Sequence, residues 1–209
     1  MSTGDGSNIS QARTNEEIWN LPNILTMIRL ALVPVFIVLL LLGHTWSQWL
    51  ALVVFIAAAL TDHYDGKIAR ARNLITDFGK IWDPIADKAL TLGAFVMLSV
   101  VGLLPWWFTF IVAFRELGIT WLRAFLLKRN IVVAASSGGK AKTVSQMFLI
   151  VFLLVPWETF ISGGDPLSNV TTLFGITVVL MAVALGLTVW SGLVYVVEAL
   201  KFTRTQPSV

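Results

Sequence analysis

The sequence predicts an all-α integral membrane protein with six transmembrane helices and both termini in the cytosol. Three observations predict it. Of 209 residues, 56% are hydrophobic and 13% charged, with a mean hydropathy of +0.80, whereas a soluble domain carries about a quarter of its residues as charges. Apolar runs of about twenty residues recur, each long enough to cross a hydrocarbon core about 30 Å thick. Lys and Arg collect in alternate connections, as they do on the cytoplasmic side of a membrane. A water-soluble globule is excluded, and six spans using about 120 positions leave no room for a second soluble domain. The absence of Cys excludes disulfides, thiolate metal sites and cysteine nucleophiles.

Residues 1–15 (MSTGDGSNISQARTN) are small and polar without periodicity and read as a disordered cytosolic tail. They show no basic n-region before a short apolar stretch and no small-residue cleavage site, so a cleaved signal peptide is not expected. Residues 16–20 are expected to form a brief interfacial turn with Trp19 at headgroup level. They open a helical membrane domain over 16–201, which a cytosolic tail at 202–209 follows.

Helices are expected at 24–42 and 48–69, joined by 43–47, which holds no Lys or Arg. The third and fourth, at 84–102 and 106–128, meet at 102–105, again without a basic residue. The fifth and sixth, at 142–160 and 170–198, are joined by a third such connection at 161–169. Trp46, Trp49, Trp106, Trp107 and Trp157 lie at these same helix ends, as an aromatic belt does. The other two connections carry Lys67, Arg70, Arg72, Lys80, Lys128, Arg129, Lys140 and Lys142, and the C-terminus carries Lys201 and Arg204. Basic residues therefore place the even connections and both termini in the cytosol. The net charge of +3 reports this orientation and calls for no nucleic acid.

Residues 62–88 contain ten of the chain's charges, among them Asp62, Asp65, Asp77, Asp83 and Asp87. Asp62 and Asp65 are three apart at the end of one helix, and Asp83 and Asp87 four apart at the start of the next. Residues at those spacings share a helix face, so two antiparallel helix ends could aim four carboxylates into one space. Unpaired, they would repel until one or more took up a proton. Hard divalent cations relieve the repulsion, and an all-oxygen set suits Mg²⁺, Mn²⁺ or Ca²⁺ rather than zinc. A single Asp at a helix end is ordinarily a solvated cap, but the repeat on two helices is not explained that way. Gly66, Ala69 and Gly79 leave the backbone beside the carboxylates open to a bulky ligand.

In full the pattern is Asp62-x2-Asp65-Gly66-x2-Ala69-Arg70-x8-Gly79-x3-Asp83-x3-Asp87. It resembles the signature of the CDP-alcohol phosphotransferase family at every position, and the resemblance extends over about residues 20–200. It implies that family's six-helix fold, homodimer and chemistry: a CDP-linked donor and an alcohol acceptor react at the cytosolic face of the cell (inner or plasma) membrane, releasing CMP. It implies that Asp62, Asp65, Asp83 and Asp87 hold two divalent ions, Mg²⁺ or Mn²⁺, with Asp87 also the general base. Gly66, Ala69, Arg70 and Gly79 would line the nucleotide site, with Arg70 reaching the pyrophosphate.

Arg115 lies near the middle of an apolar span, where an unpaired Arg is expensive. An internal pair with Glu116 or a signature Asp would satisfy it. The functional reading is an anion site shared with Arg123, Lys140 and Lys142, since several cations around one site suit a phosphate dianion. The Arg115-Glu116 pair with Arg123 and the run Gly139-Lys140-Ala-Lys142-Thr143 resemble the branch of the family that joins CDP-diacylglycerol to sn-glycerol 3-phosphate. The opening Asn20-Leu-Pro-Asn23-x2-Thr26-x2-Arg29 resembles it too, and implies that Asn23, Thr26 and Arg29 sit beside the donor. An inositol phosphate acceptor would also want a basic site. A divalent-cation transporter is disfavoured because the acidic residues do not continue toward the far side of the membrane. His63 fills a variable slot, His44 lies in a non-cytosolic connection, and Asp77 is outside the signature; none is assigned a role. Small residues such as Ala57–Ala59, Ala182 and Gly186 suit close helix packing.

Overall fold

The computed structural model describes residues 21–71, 77–129, 138–160 and 166–205, with side chains for 23–61, 82, 85–129, 138–160 and 169–201. Among the described residues there are six helices and no strand. They are α1 (Leu21–Leu41), α2 (Thr45–Ala71), α3 (Asp77–Val100), α4 (Trp106–Lys128), α5 (Gly138–Leu154) and α6 (Pro166–Thr205), with a 3-10 turn at Trp157–Thr159. The tail at 1–15, the turn at 16–20 and residues 206–209 lie outside the described residues.

Helix α4 has the expected bounds, and the others differ for physical reasons. Apolarity marks where a helix meets lipid, not where its hydrogen bonds stop. Hence α3 begins at Asp77, seven residues before its apolar run, and α6 extends over 40 residues. Helix α5 starts at Gly138 and stops at Leu154, short of 160. Pro156 lacks an N–H and disfavours helical geometry in the residue before it. The chain turns there, and Trp157 Nε1 donates to the Phe152 carbonyl at 2.9 Å.

Among the described residues two helices are long and apolar enough to cross a membrane, α1 over Asn23–Leu41 and α6 over Asn169–Lys201, and Thr45–Thr61 is a shorter apolar stretch. At 1.5 Å per residue, the 19 residues in α1 span about 28 Å, close to a hydrocarbon core. The rest are less plain. Helix α5 has only 17 residues, and Arg115, Glu116 and Arg123 interrupt the apolar run of α4.

The chain divides into two compact units, Met1–Ala94 and Phe95–Val209. In the first, α1 and α2 form a helical hairpin closed by a three-residue connection in which Gly43 adopts φ 65°. Phe36 and Phe55 meet with ring centroids 5.8 Å apart, and the fully buried Ala51 and Ala58 let the helices approach.

In the second unit, the end of α3 is closed by Gly102 at φ 80°. The Leu103 amide donates to the Leu98 carbonyl at 2.9 Å and the Gly102 amide to that of Ser99 at 3.2 Å, a Schellman motif. Ser99 and Thr109 share a buried hydroxyl bond of 2.7 Å between α3 and α4. Helix α6 packs on both α4 and α5. Leu126, Tyr195 and Ala199 form a buried cluster with Ile119 and Leu122 packed against it.

Candidate active site

All eight signature positions are carried by helices: Asp62, Asp65, Gly66, Ala69 and Arg70 by the last turns of α2, and Gly79, Asp83 and Asp87 by the first turns of α3. The i, i+3 and i, i+4 spacings therefore fall on real helices, and each Asp pair occupies one face of its helix. Of these residues only Asp87 has a described side chain; those of Asp62, Asp65, Gly66, Ala69, Arg70, Gly79 and Asp83 lie outside the described residues. Asp87 is half-buried beside the fully buried Ala86, and its backbone carbonyl accepts from Thr91 Oγ1 at 3.1 Å. A donor set of four aspartates on two helices fits a hard divalent ion.

Asn23, Thr26 and Arg29 stand at three-residue intervals on α1, and their exposures are 1%, 2% and 0%. Three polar side chains thus run along one buried stripe over the first three turns, while Met27 and Ile28 on the other side are exposed. Burying a guanidinium in an apolar helix is costly unless it is paired and hydrogen-bonded.

In the second unit, two of the four nominated cations come together. Arg115 Nη1 donates to Glu116 Oε1 at 3.1 Å, and Lys142 Nζ donates to the same oxygen at 2.5 Å. Arg115 Nη2 donates to Ser191 Oγ of α6 at 2.8 Å, while Arg115 Nε is buried without a hydrogen-bond partner. Ser191 Oγ in turn donates to the Thr188 carbonyl at 3.2 Å, and Gln146 Nε2 donates to Thr188 Oγ1 at 2.9 Å. A continuous polar chain thus crosses α4, α5 and α6 through apolar surroundings. Two cations thus converge on one carboxylate oxygen. Arg123 is exposed and lies two turns along α4 over the Tyr195 ring, 5.6 Å from its centroid. Lys140 is exposed at the start of α5.

The family model for CDP-alcohol phosphatidyltransferase matches residues 19–190, spanning α1 through most of α6. The chain belongs to the CDP-alcohol phosphatidyltransferase family. A Mycobacterium tuberculosis protein named probable phosphatidylglycerophosphate synthase is 42% identical over 187 residues, covering 88% of this chain and 83% of that protein. Proteins named CDP-diacylglycerol–glycerol-3-phosphate 3-phosphatidyltransferase include one from Bacillus subtilis, 37% identical over 66% of this chain and 78% of its own. Another, from Shigella flexneri, is 36% identical over 87% of this chain and 95% of its own.

Within this member of the family, sequence reasoning missed Gln146, Thr188, Ser191 and Gly192. Hydroxyls in an apolar helix ordinarily bond back to their own helix, so nothing in the sequence of α6 separates Ser191 from that common case. A faint signal was available in the spacing of Thr188, Ser191 and Tyr195, at three and four residues on one face.

Proposed function

We propose that the chain transfers the phosphatidyl group of CDP-diacylglycerol to sn-glycerol 3-phosphate, giving phosphatidylglycerophosphate and CMP. The observation that carries this reading is the joint presence of the complete aspartate signature on α2 and α3 and the Arg115–Glu116–Lys142 cluster. The names of the relatives support the same donor and acceptor.

In the mechanism, the acceptor hydroxyl oxygen attacks the phosphatidyl phosphorus, a new P–O bond forms, and the P–O bond to CMP breaks. Asp62, Asp65, Asp83 and Asp87 would hold two divalent ions, Mg²⁺ or Mn²⁺, which when bound neutralise the pyrophosphate and the leaving CMP. Asp87 takes the hydroxyl proton; a carboxylate is a weak base for an alcohol, so positioning supplies most of the rate. Arg70 contacts the pyrophosphate, and Gly66, Ala69 and Gly79 leave room for the nucleotide. Asn23, Thr26 and Arg29 bind beside the donor. Arg115 and Lys142, with Arg123 and Lys140 at the margin, bind the acceptor phosphate, which guanidinium forks and ammonium groups suit. The protein works as a six-span homodimer in the cell membrane with termini and site in the cytosol.

The test is CMP release by purified protein from labelled CDP-diacylglycerol, across a panel of acceptors, with and without EDTA. Release should require glycerol 3-phosphate and should stop with EDTA. Asp87→Asn should lose turnover by about 10²-fold or more, the range that a general base supplies, while still binding donor. EDTA-insensitive release would sink the metal assignment, and preference for inositol phosphate would move the acceptor.

A further inference from the structure

The buried face of α6 runs Ala184, Thr188, Ser191, Tyr195, Ala199, with every residue at most 4% exposed. Small apolar residues end the stripe, but its middle is polar, and each polar residue there meets a side chain of α4 or α5. Thr188 meets Gln146, Ser191 meets Arg115, and Tyr195 meets Arg123. Beside Ser191, Gly192 lies under the Arg115 stem; a Cβ there would stand 3.3 Å from both Cγ and Nε of Arg115. That is closer than ordinary van der Waals contact, so a side chain at 192 would make Arg115 give by a few tenths of an ångström.

A guanidinium is planar, and two bonds from different nitrogens fix its plane. Glu116 supplies one and Ser191 the other. Glu116 is the neighbour of Arg115 on the same helix, so among the described residues Ser191 is what ties the plane to a separate element. Ser191 Oγ is itself held, because its own hydrogen is engaged by the Thr188 carbonyl. The family match ends at Trp190, one residue before this pair.

From this geometry we propose that Ser191 and Gly192 are positioning residues for the acceptor phosphate, fixing the guanidinium of Arg115 in the plane that receives it. The inference rests on the assignment of Arg115 to the acceptor. It makes α6 a determinant of acceptor affinity, although α6 contributes no charge to the cluster.

The experiment is steady-state kinetics of Ser191→Ala, Ser191→Thr, Gly192→Ala, Arg115→Ala and the Ser191→Ala/Arg115→Ala pair, with thermal unfolding of each in detergent. Losing one hydrogen bond to a charged group should raise KM for glycerol 3-phosphate about tenfold in Ser191→Ala. The kcat and the KM for CDP-diacylglycerol should stay within about twofold, Ser191→Thr should restore the acceptor KM, and Gly192→Ala should raise it. In the Arg115→Ala background, Ser191→Ala should add nothing. If Arg115→Ala raises the acceptor KM and Ser191→Ala does not, the positioning role is wrong and the acceptor site stands. A Ser191→Ala effect that persists without Arg115, or that falls on both substrates, makes Ser191 a packing residue and overturns the proposal. If Arg115→Ala leaves the acceptor KM unchanged, the acceptor assignment fails and the inference fails with it.

Discussion

Between Arg115 and Lys142 stands one carboxylate oxygen, Oε1 of Glu116, and the three side chains are only 15%, 9% and 13% exposed in that order. Removing one member of a partly buried ion cluster costs more than making the cluster gains, because the remaining charges lose one of their partners where water reaches them poorly. Glu116→Gln should therefore destabilise the protein by about 2 kcal/mol, the range for a hydrogen bond to a charged group. That corresponds to a fall in Tm of about 4–8 °C for a chain of this size. Because phosphate offers the two cations a replacement anion, glycerol 3-phosphate should raise Tm more in Glu116→Gln than in the unmodified protein. A Tm unchanged by the substitution would show that water already solvates the pair. At this scale the signature residues were legible because repeated carboxylates against apolar helices have few other uses. Ser191 was not, because a buried serine advertises its hydroxyl but not its partner.

At the scale of elements, the first described turn of α5 packs against α6. A Cβ on Gly138 would stand 2.6 Å from Cζ3 of the Trp190 ring and 3.3 Å from its Cε3. The ring is 55% exposed but is seated against the first turn of α5, four residues before Lys142. Gly138→Ala should push the two apart and cost about 1–3 kcal/mol, as overpacking does. It should also raise KM for glycerol 3-phosphate by displacing Lys142, while KM for CDP-diacylglycerol stays near its starting value. Combining it with Trp190→Ala should recover part of the stability; failure to recover any would place the strain elsewhere. The existence of all six helices could be read from apolar runs, and the bounds of α4 as well, since Pro105 and Arg129 flank it. The early end of α5 was marked by Pro156, which the apolar run 142–160 passed over. The extension of α3 back to Asp77 was hidden because Asp77, Lys80 and Asp83 interrupt the apolar pattern there.

At the scale of the whole molecule, apolarity alone marks α1 and α6 as spans among the described residues, and the distribution of charge bears on the other helices. Helix α4 fails a purely apolar test because Arg115, Glu116 and Arg123 lie within it. Those are the residues proposed to hold the acceptor phosphate or to stand beside it, so on that proposal the helix looks least like a span where the site lies. Ionisable residues inside spans are functional by default, and a topology read from hydropathy is therefore weakest at an active helix. The positive-inside rule does not share this weakness, since it reads connections rather than spans. It predicts that His44 and Leu103, both exposed in connections without Lys or Arg, lie outside the membrane. Arg129, exposed at the end of α4 with its guanidinium 4.5 Å over the Phe125 ring, should lie in the cytosol. The chain has no Cys, so single cysteines can be placed without background. On intact cells a membrane-impermeant maleimide should label His44→Cys and Leu103→Cys directly, and Arg129→Cys only after permeabilisation. Labelling of Arg129→Cys from outside would reverse the orientation and put the acceptor cluster on the wrong side for a cytosolic phosphate substrate.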